Sequence, residues 1–131
     1  MDMLIKIFEI NRYSIKPHDK VIISFHISGC SGCNQKVLEI MNSELTEDIL
    51  FIVSYQSDKD LNLSIPFELR NKVRLIHDKD MLAYPKNSVH PYICFYANGS
   101  IRESYHMNVE NANELIERIR TWILSDKNLI L

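Results

Sequence analysis

The chain has 131 residues, 46% hydrophobic and 24% charged, with a formal net charge of −2. That length holds one domain with a real core, and the balanced charge, with no basic block or acidic tail, argues against nucleic acid as a partner. Three cysteines are too few for a disulfide-stapled miniature domain, and no run approaches the ~18 consecutive apolar residues of a membrane span.

Met1 to Ile10 carries Asp2, Lys6 and Glu9, so it lacks the uninterrupted apolar stretch of about 7–15 residues of a secretory signal. A cytoplasmic protein, or an exported domain whose leader has been removed, is expected. Residues 3–15 alternate weakly and read as a strand or hairpin, ending at the turn Lys16-Pro17-His18-Asp19. Lys20 to Ile27 is an apolar, β-branched run, the pattern of a strand buried on both faces. The chain breaks at Ser28-Gly29, and Cys30 and Cys33 then open a helical pattern running to about Ser43. Val37, Ile40, Met41 and Leu45 are its apolar stripe, and Asn34, Gln35, Lys36 and Glu39 its wet face.

Glu47 to Tyr55 holds a second continuous apolar run, Ile49-Leu50-Phe51-Ile52-Val53, which completes a β-α-β unit with parallel strands. Gln56 to Asn71 is polar, and Pro66 forbids one clean helix across it, although Phe67 to Arg70 can begin a short one. Val73 to His77 reads as a short strand, and Asp80 to Tyr84 as a helical turn stopped by Pro85. Pro91 to Tyr96 is a strand entered through a proline, where a strand tolerates one. Asn98-Gly99 between apolar runs signals a hairpin, with Ile101 to Met107 as the return strand. Asn108 to Ser125 closes the chain as a helix with Ala112, Leu115, Ile116, Ile119, Trp122 and Ile123 on one face, and Asn111 with Glu114 can cap it. The fold class is therefore α/β: a mixed central sheet with helices on both faces.

The chemistry lies at Cys30 and Cys33. A helix N-terminus presents unpaired N–H groups and the positive end of the dipole, both of which favour a thiolate. A cysteine there ionises more readily than a free one, whose pKa is about 8.5. Three residues of separation also let the two sulfurs close a small ring, so that one attacks and the other resolves. The same pair is half of a zinc site, for which His18, His26, His77, His90 and His106 could supply further ligands; a purely structural disulfide is the third reading. The strand-turn-helix context favours redox chemistry. Cys94, inside a strand, reads as a small buried hydrophobe, and Tyr92 and Tyr96 as strand packing.

A central strand, a CxxC opening a helix, a proline-led strand, an Asn-Gly hairpin and a final helix together resemble the thioredoxin-like superfamily. The likeness runs from about residue 20 to 124 and is nearest the bacterial TlpA-like thiol-disulfide oxidoreductases, with the strand at 3–15 as an extension of a single domain spanning 1–131. The resemblance implies a thioredoxin fold and an enzyme whose only redox group is the Cys30–Cys33 disulfide, with no metal or other cofactor. It makes Cys30 the exposed nucleophile and Cys33 the shielded resolving cysteine. Pro91 takes the place of the family's cis proline, and His90 that of the preceding residue, which pairs with a bound substrate chain. Protein thiols or disulfides, and an upstream redox partner, are the implied partners. This sequence departs from the family in having Gly29-Cys30-Ser31-Gly32-Cys33 without the usual tryptophan and proline. Ser24 stands where the family has a buried acid, and His26 where it has an aromatic; both are candidate modulators of the pair. A metal-binding or partner-binding module of the same fold, holding an ion with Cys30, Cys33 and a histidine, is the alternative function.

Overall fold

The computed structural model describes residues 19–79 and 90–129, with side chains described through residue 125, and five strands and four helices lie among them. In chain order these are β1 (Val21–His26), α1 (Ser31–Met41), a 3₁₀ turn (Glu44–Asp48), β2 (Ile49–Ser54), α2 (Asp58–Ser64), α3 (Phe67–Lys72), β3 (Arg74–Asp78), β4 (Tyr92–Ala97), β5 (Ser100–His106) and α4 (Ala112–Leu129). The sheet order is β3-β2-β1-β4-β5, so β1 is the central strand. Its pairing with β2 is parallel, from Val21↔Ile49 to His26↔Ser54, and that with β4 antiparallel, from Val21↔Phe95 to Ser24↔Tyr92. β2 and β3 are parallel and β4 and β5 antiparallel, which makes the sheet mixed.

A strand with neighbours on both sides and cover on both faces needs apolar residues at every position. β1 and β2 meet that demand: Val21 to Phe25 and all of β2 are buried. Alternation along the strands divides the core in two. Val21, Ile23, Phe25, Ile49, Phe51, Val53, Ile93 and Phe95 belong to the larger cluster, which takes in Val37, Ile40 and Met41 of α1, Leu61 of α2, and Ala112, Leu115, Ile119 and Ile123 of α4. Ile22, Leu50, Ile52, Ile76 and Cys94 form a second cluster on the other face. Leu69 of α3 also packs against the first cluster, so among the described residues the helices cover that face. The expected helical turn at Asp80–Tyr84 and the expected strand at 3–15 lie outside the described residues, as does most of the turn before Asp19.

The polar stretch after β2 folds into two short helices where one was expected. Ser57 Oγ accepts from the Asp60 N–H at 3.2 Å to start α2, and Asp58 and Asp60 sit in its first turn. Seven residues with one buried side chain, Leu61, are too few to show a helical period in sequence. Pro66 then breaks the path and becomes the N-cap of α3. In the hairpin, Asn98 and Gly99 have φ of 52° and 79°, the paired left-handed residues that the Asn-Gly signal implies. The start of α4 is built differently from the expected Asn111–Glu114 cap: Asn108 and Asn111 exchange side-chain-to-backbone bonds at 2.8 Å each way. No helix among the described residues is long and apolar enough to cross a membrane.

The contrast between core and surface is directly measurable. Phe51 is fully buried in the strand beside β1, whereas Leu63 is 76% exposed. Phe51→Ala is expected to cost about 3–5 kcal/mol and Leu63→Ala no more than about 0.5 kcal/mol. Urea unfolding of the two variants, with m held constant, checks both values.

Candidate functional site

The site begins where β1 stops. Its ladder with β2 continues one step beyond the strand, Ile27 N–H donating to Ser54 O at 3.1 Å, and the chain then turns sharply. The Gly29 N–H donates to His26 O at 3.0 Å and the Ser28 N–H to His26 Nδ1 at 2.9 Å. Asn34, on the first turn of α1, reaches back so that its Nδ2 donates to His26 O at 2.7 Å and to Ile27 O at 3.3 Å. This half-buried side chain ties the helix to the strand end, although helical periodicity alone puts it on the wet face. His26 is thereby a turn-building residue whose Nδ1 acts as an acceptor.

The turn delivers Cys30 to the N-cap of α1 with extended backbone, φ −60° and ψ 110°. An N-cap side chain normally offers an oxygen to the free N–H groups of the first turn. Here the group is sulfur: Cys30 Sγ accepts from the Cys33 N–H at 3.3 Å. The first turn of α1 contains no acidic residue, so no carboxylate competes with sulfur for the positive end of the helix dipole.

Cys30 and Cys33 form a disulfide with Cα atoms 5.3 Å apart. Their surroundings differ: Cys30 is half-buried, and Cys33 is 0% exposed. The chain before β4 supplies a third group, with His90 Nδ1 lying 3.8 Å from Cys33 Sγ. One donor atom from each of Cys30, Cys33 and His90 lies within 4.8 Å of the other two. The expected cis bond at Pro91 requires correction, because no cis peptide occurs among the described residues. Trans is the preferred state of an X–Pro bond by about 0.5–1 kcal/mol. With this linkage His90 reaches Cys33, and the buried Pro91 accepts from the Met107 N–H at 2.8 Å, extending the β4–β5 ladder.

The remaining candidates fall elsewhere. Ser24 is 2% exposed, but it shares the parity of Ile22, so its side chain is on the second face and α1 packs its apolar stripe on the first. His77 Nδ1 meets Tyr55 Oη at 2.9 Å, and the His106 ring lies tilted against Tyr92 with centroids 4.9 Å apart. His18 lies outside the described residues. Cys94 is a free, buried thiol in the second cluster, as expected, and burial pushes its pKa up to about 11.

Val109, between β5 and α4, is a neighbour of the pair that the sequence did not suggest. A β-carbon at Gly32 would stand 3.0 Å from its Cγ1, so glycine lets this loop close over the first turn of α1. Val109 remains 65% exposed, leaving an apolar surface beside the cysteines. A single valine in a polar loop carries no sequence signal for such a role. The whole arrangement can break and re-form a disulfide, or bring two thiolates and an imidazole to one ion. The chain matches no protein-family model and no curated protein.

Two titrations follow from these surroundings. At pH 8 a thiol with pKa about 11 is thiolate in only about one molecule in a thousand. The folded, oxidised protein is expected to consume no thiol reagent and the denatured protein one equivalent. His77, although exposed at the residue level, has its pKa lowered from 6.5, chiefly by partial desolvation of its ring and next by the Arg70 charge, against an opposing effect of Asp58. Protonation there disfavours the folded state, so this contribution is complete above pH 6.5 and falls as pH drops toward the lower folded value. An NMR titration should give His77 a midpoint below 6.5, and His77→Gln should flatten that part of the stability–pH curve.

Proposed function

We propose that this protein is a thiol-disulfide oxidoreductase that exchanges disulfides with protein substrates through Cys30 and Cys33. The observation that carries the reading is the asymmetry of the pair: a half-exposed sulfur at a helix N-cap bonded to a fully buried one beside an imidazole. The resemblance to thioredoxin-like oxidoreductases supports it, as do the strand order and the position of the pair at the end of the central strand.

In the reducing direction, the Cys30 thiolate attacks one sulfur of the substrate disulfide. A Cys30–substrate bond forms, the substrate S–S bond breaks, and its second sulfur leaves as a thiolate. Cys33 loses its proton to His90 Nδ1, the nearby ring nitrogen at 3.8 Å, and attacks Cys30 Sγ. The substrate leaves as a second thiolate and the Cys30–Cys33 disulfide remains. Two electrons have passed to the substrate, and an external dithiol must return them; run backwards, the same steps oxidise a dithiol. Burial opposes the charged form of Cys33, which makes a neighbouring base valuable for resolution. The half-exposed His90 and exposed Val109 flank the pair where a substrate chain would lie.

The roles separate by substitution. Cys30→Ser should abolish exchange with a protein disulfide, while Cys33→Ser should attack once and stall as a covalent mixed disulfide, visible by non-reducing electrophoresis and mass spectrometry. Turnover in Cys30→Ser, together with no trapped partner in Cys33→Ser, would overturn the assignment. His90→Ala should leave the first attack within about threefold of wild type and slow resolution by tenfold or more, the lower range of general base catalysis. Rapid-quench analysis of the mixed disulfide separates the two steps.

A further inference from the structure

The 3.8 Å between Cys33 Sγ and His90 Nδ1 is long for a strong hydrogen bond and has a second meaning. An ion bonded to sulfur at about 2.3 Å and to nitrogen at about 2.0–2.1 Å holds those two atoms roughly 3.6–3.8 Å apart, at angles between tetrahedral and trigonal. Cys33 and His90 already stand at that spacing. Cys30 Sγ is the third donor in the same cluster. In the oxidised protein it is committed to the disulfide, so the site is complete only after reduction.

We propose that the reduced protein binds a thiophilic d¹⁰ cation, Zn(II) or Cu(I), through Cys30 Sγ, Cys33 Sγ and His90 Nδ1, and that metal and disulfide exclude each other. Two thiolates and one imidazole are a donor set that both ions accept. The chemistry balances as follows. A dithiol reductant supplies two electrons and two protons, breaking the S–S bond to give two thiols. Metal binding then displaces both thiol protons and forms two metal–sulfur bonds. Zn(II) neutralises the two thiolates and takes a fourth ligand from solvent on the half-exposed Cys30 side, whereas Cu(I) is satisfied by three donors. The other described histidines are engaged elsewhere, His26 by the Ser28 N–H, His77 by Tyr55 and His106 by Tyr92. Cys94 lies in the second cluster. The proposal shares the reducible pair and His90 with the exchange reading, but does not require exchange to occur.

The test uses the full chain, reduced and freed of reductant under anaerobic conditions. It is titrated with zinc chloride, and separately with Cu(I) buffered by a competing chelator. One ion per reduced chain and none per oxidised chain are expected. X-ray absorption should show two sulfurs at about 2.3 Å and one imidazole nitrogen at about 2.0–2.1 Å in the zinc form, with one further light atom from solvent. The Cu(I) form should show two sulfurs and one nitrogen. His90→Ala should weaken binding at least tenfold, and Cys94→Ser should leave it unchanged. Failure of the reduced chain to retain either ion, equal binding by the oxidised chain, or a shell with sulfur and no imidazole would overturn the proposal. If His90→Ala does not fold, the absorption spectrum of the unsubstituted protein decides alone. Disulfide exchange by the metal-free protein is assayed in parallel. Exchange without metal binding removes this site and leaves the oxidoreductase, and metal binding without exchange does the reverse.

Discussion

The site depends on one short set of hydrogen bonds: those by which the end of β1 holds the beginning of α1. A buried central strand brings rigidity but also an obligation, since its last carbonyls must be satisfied where the chain turns away. Asn34 meets that obligation by donating to both His26 O and Ile27 O. Asn34 belongs to the helix it is anchoring, so the same bonds fix the helix start against the strand. Cys30 is consequently held at the N-cap, with its sulfur on the Cys33 N–H. The helix terminus then supplies unpaired donors and dipole to a sulfur that has no other way to approach them.

The second requirement is met from a distant part of the chain. β4 pairs with β1 antiparallel, so its beginning comes to the edge of the sheet where β1 ends. His90 precedes that beginning and meets Cys33 there, across 57 residues of sequence. Bonds at both ends keep β4 in register: Pro91 O accepts from Met107 N–H, and Tyr96 N–H donates to Lys20 O, both at 2.8 Å. Trp122 of α4 adds Nε1–H to Tyr96 O at 3.2 Å and packs edge-on against Phe95. Histidine and sulfur thus meet where the helix after β1 and the chain entering β4 come together at one end of the sheet. The loop bearing Val109 then packs against the first turn of α1 at Gly32, which has no side chain.

The apolar runs and the CxxC were legible because each answers to a local rule. Continuous burial demands the uninterrupted Val21–Phe25 and Ile49–Val53 stretches, and a left-handed two-residue turn demands Asn98-Gly99. The mixed α/β sheet and the turn at the cysteines followed from those signals. Other features depend on contacts between distant residues. Asn34 is a polar residue on an amphipathic helix, and only the turn before it makes it a clamp. Ser24 takes the place of the family's buried acid in the resemblance, yet strand parity sends it to the face opposite α1. The proline at 91 suggested a cis bond by resemblance, and the geometry here is trans. Nothing in Asn108-Val109 signals a contact with Gly32.

On the proposed function, the Cys30–Cys33 bond is a working disulfide, made and broken in each cycle. The most direct test is its reduction potential, obtained by equilibrating the protein with graded dithiol–disulfide buffers and counting alkylated thiols by mass. A reversible two-electron transition is predicted, with a slope of about 30 mV per decade and a midpoint between roughly −120 and −270 mV, the span of thiol-disulfide oxidoreductases. A midpoint below about −300 mV, in the range of structural disulfides, would contradict the account and make the bond a structural cross-link.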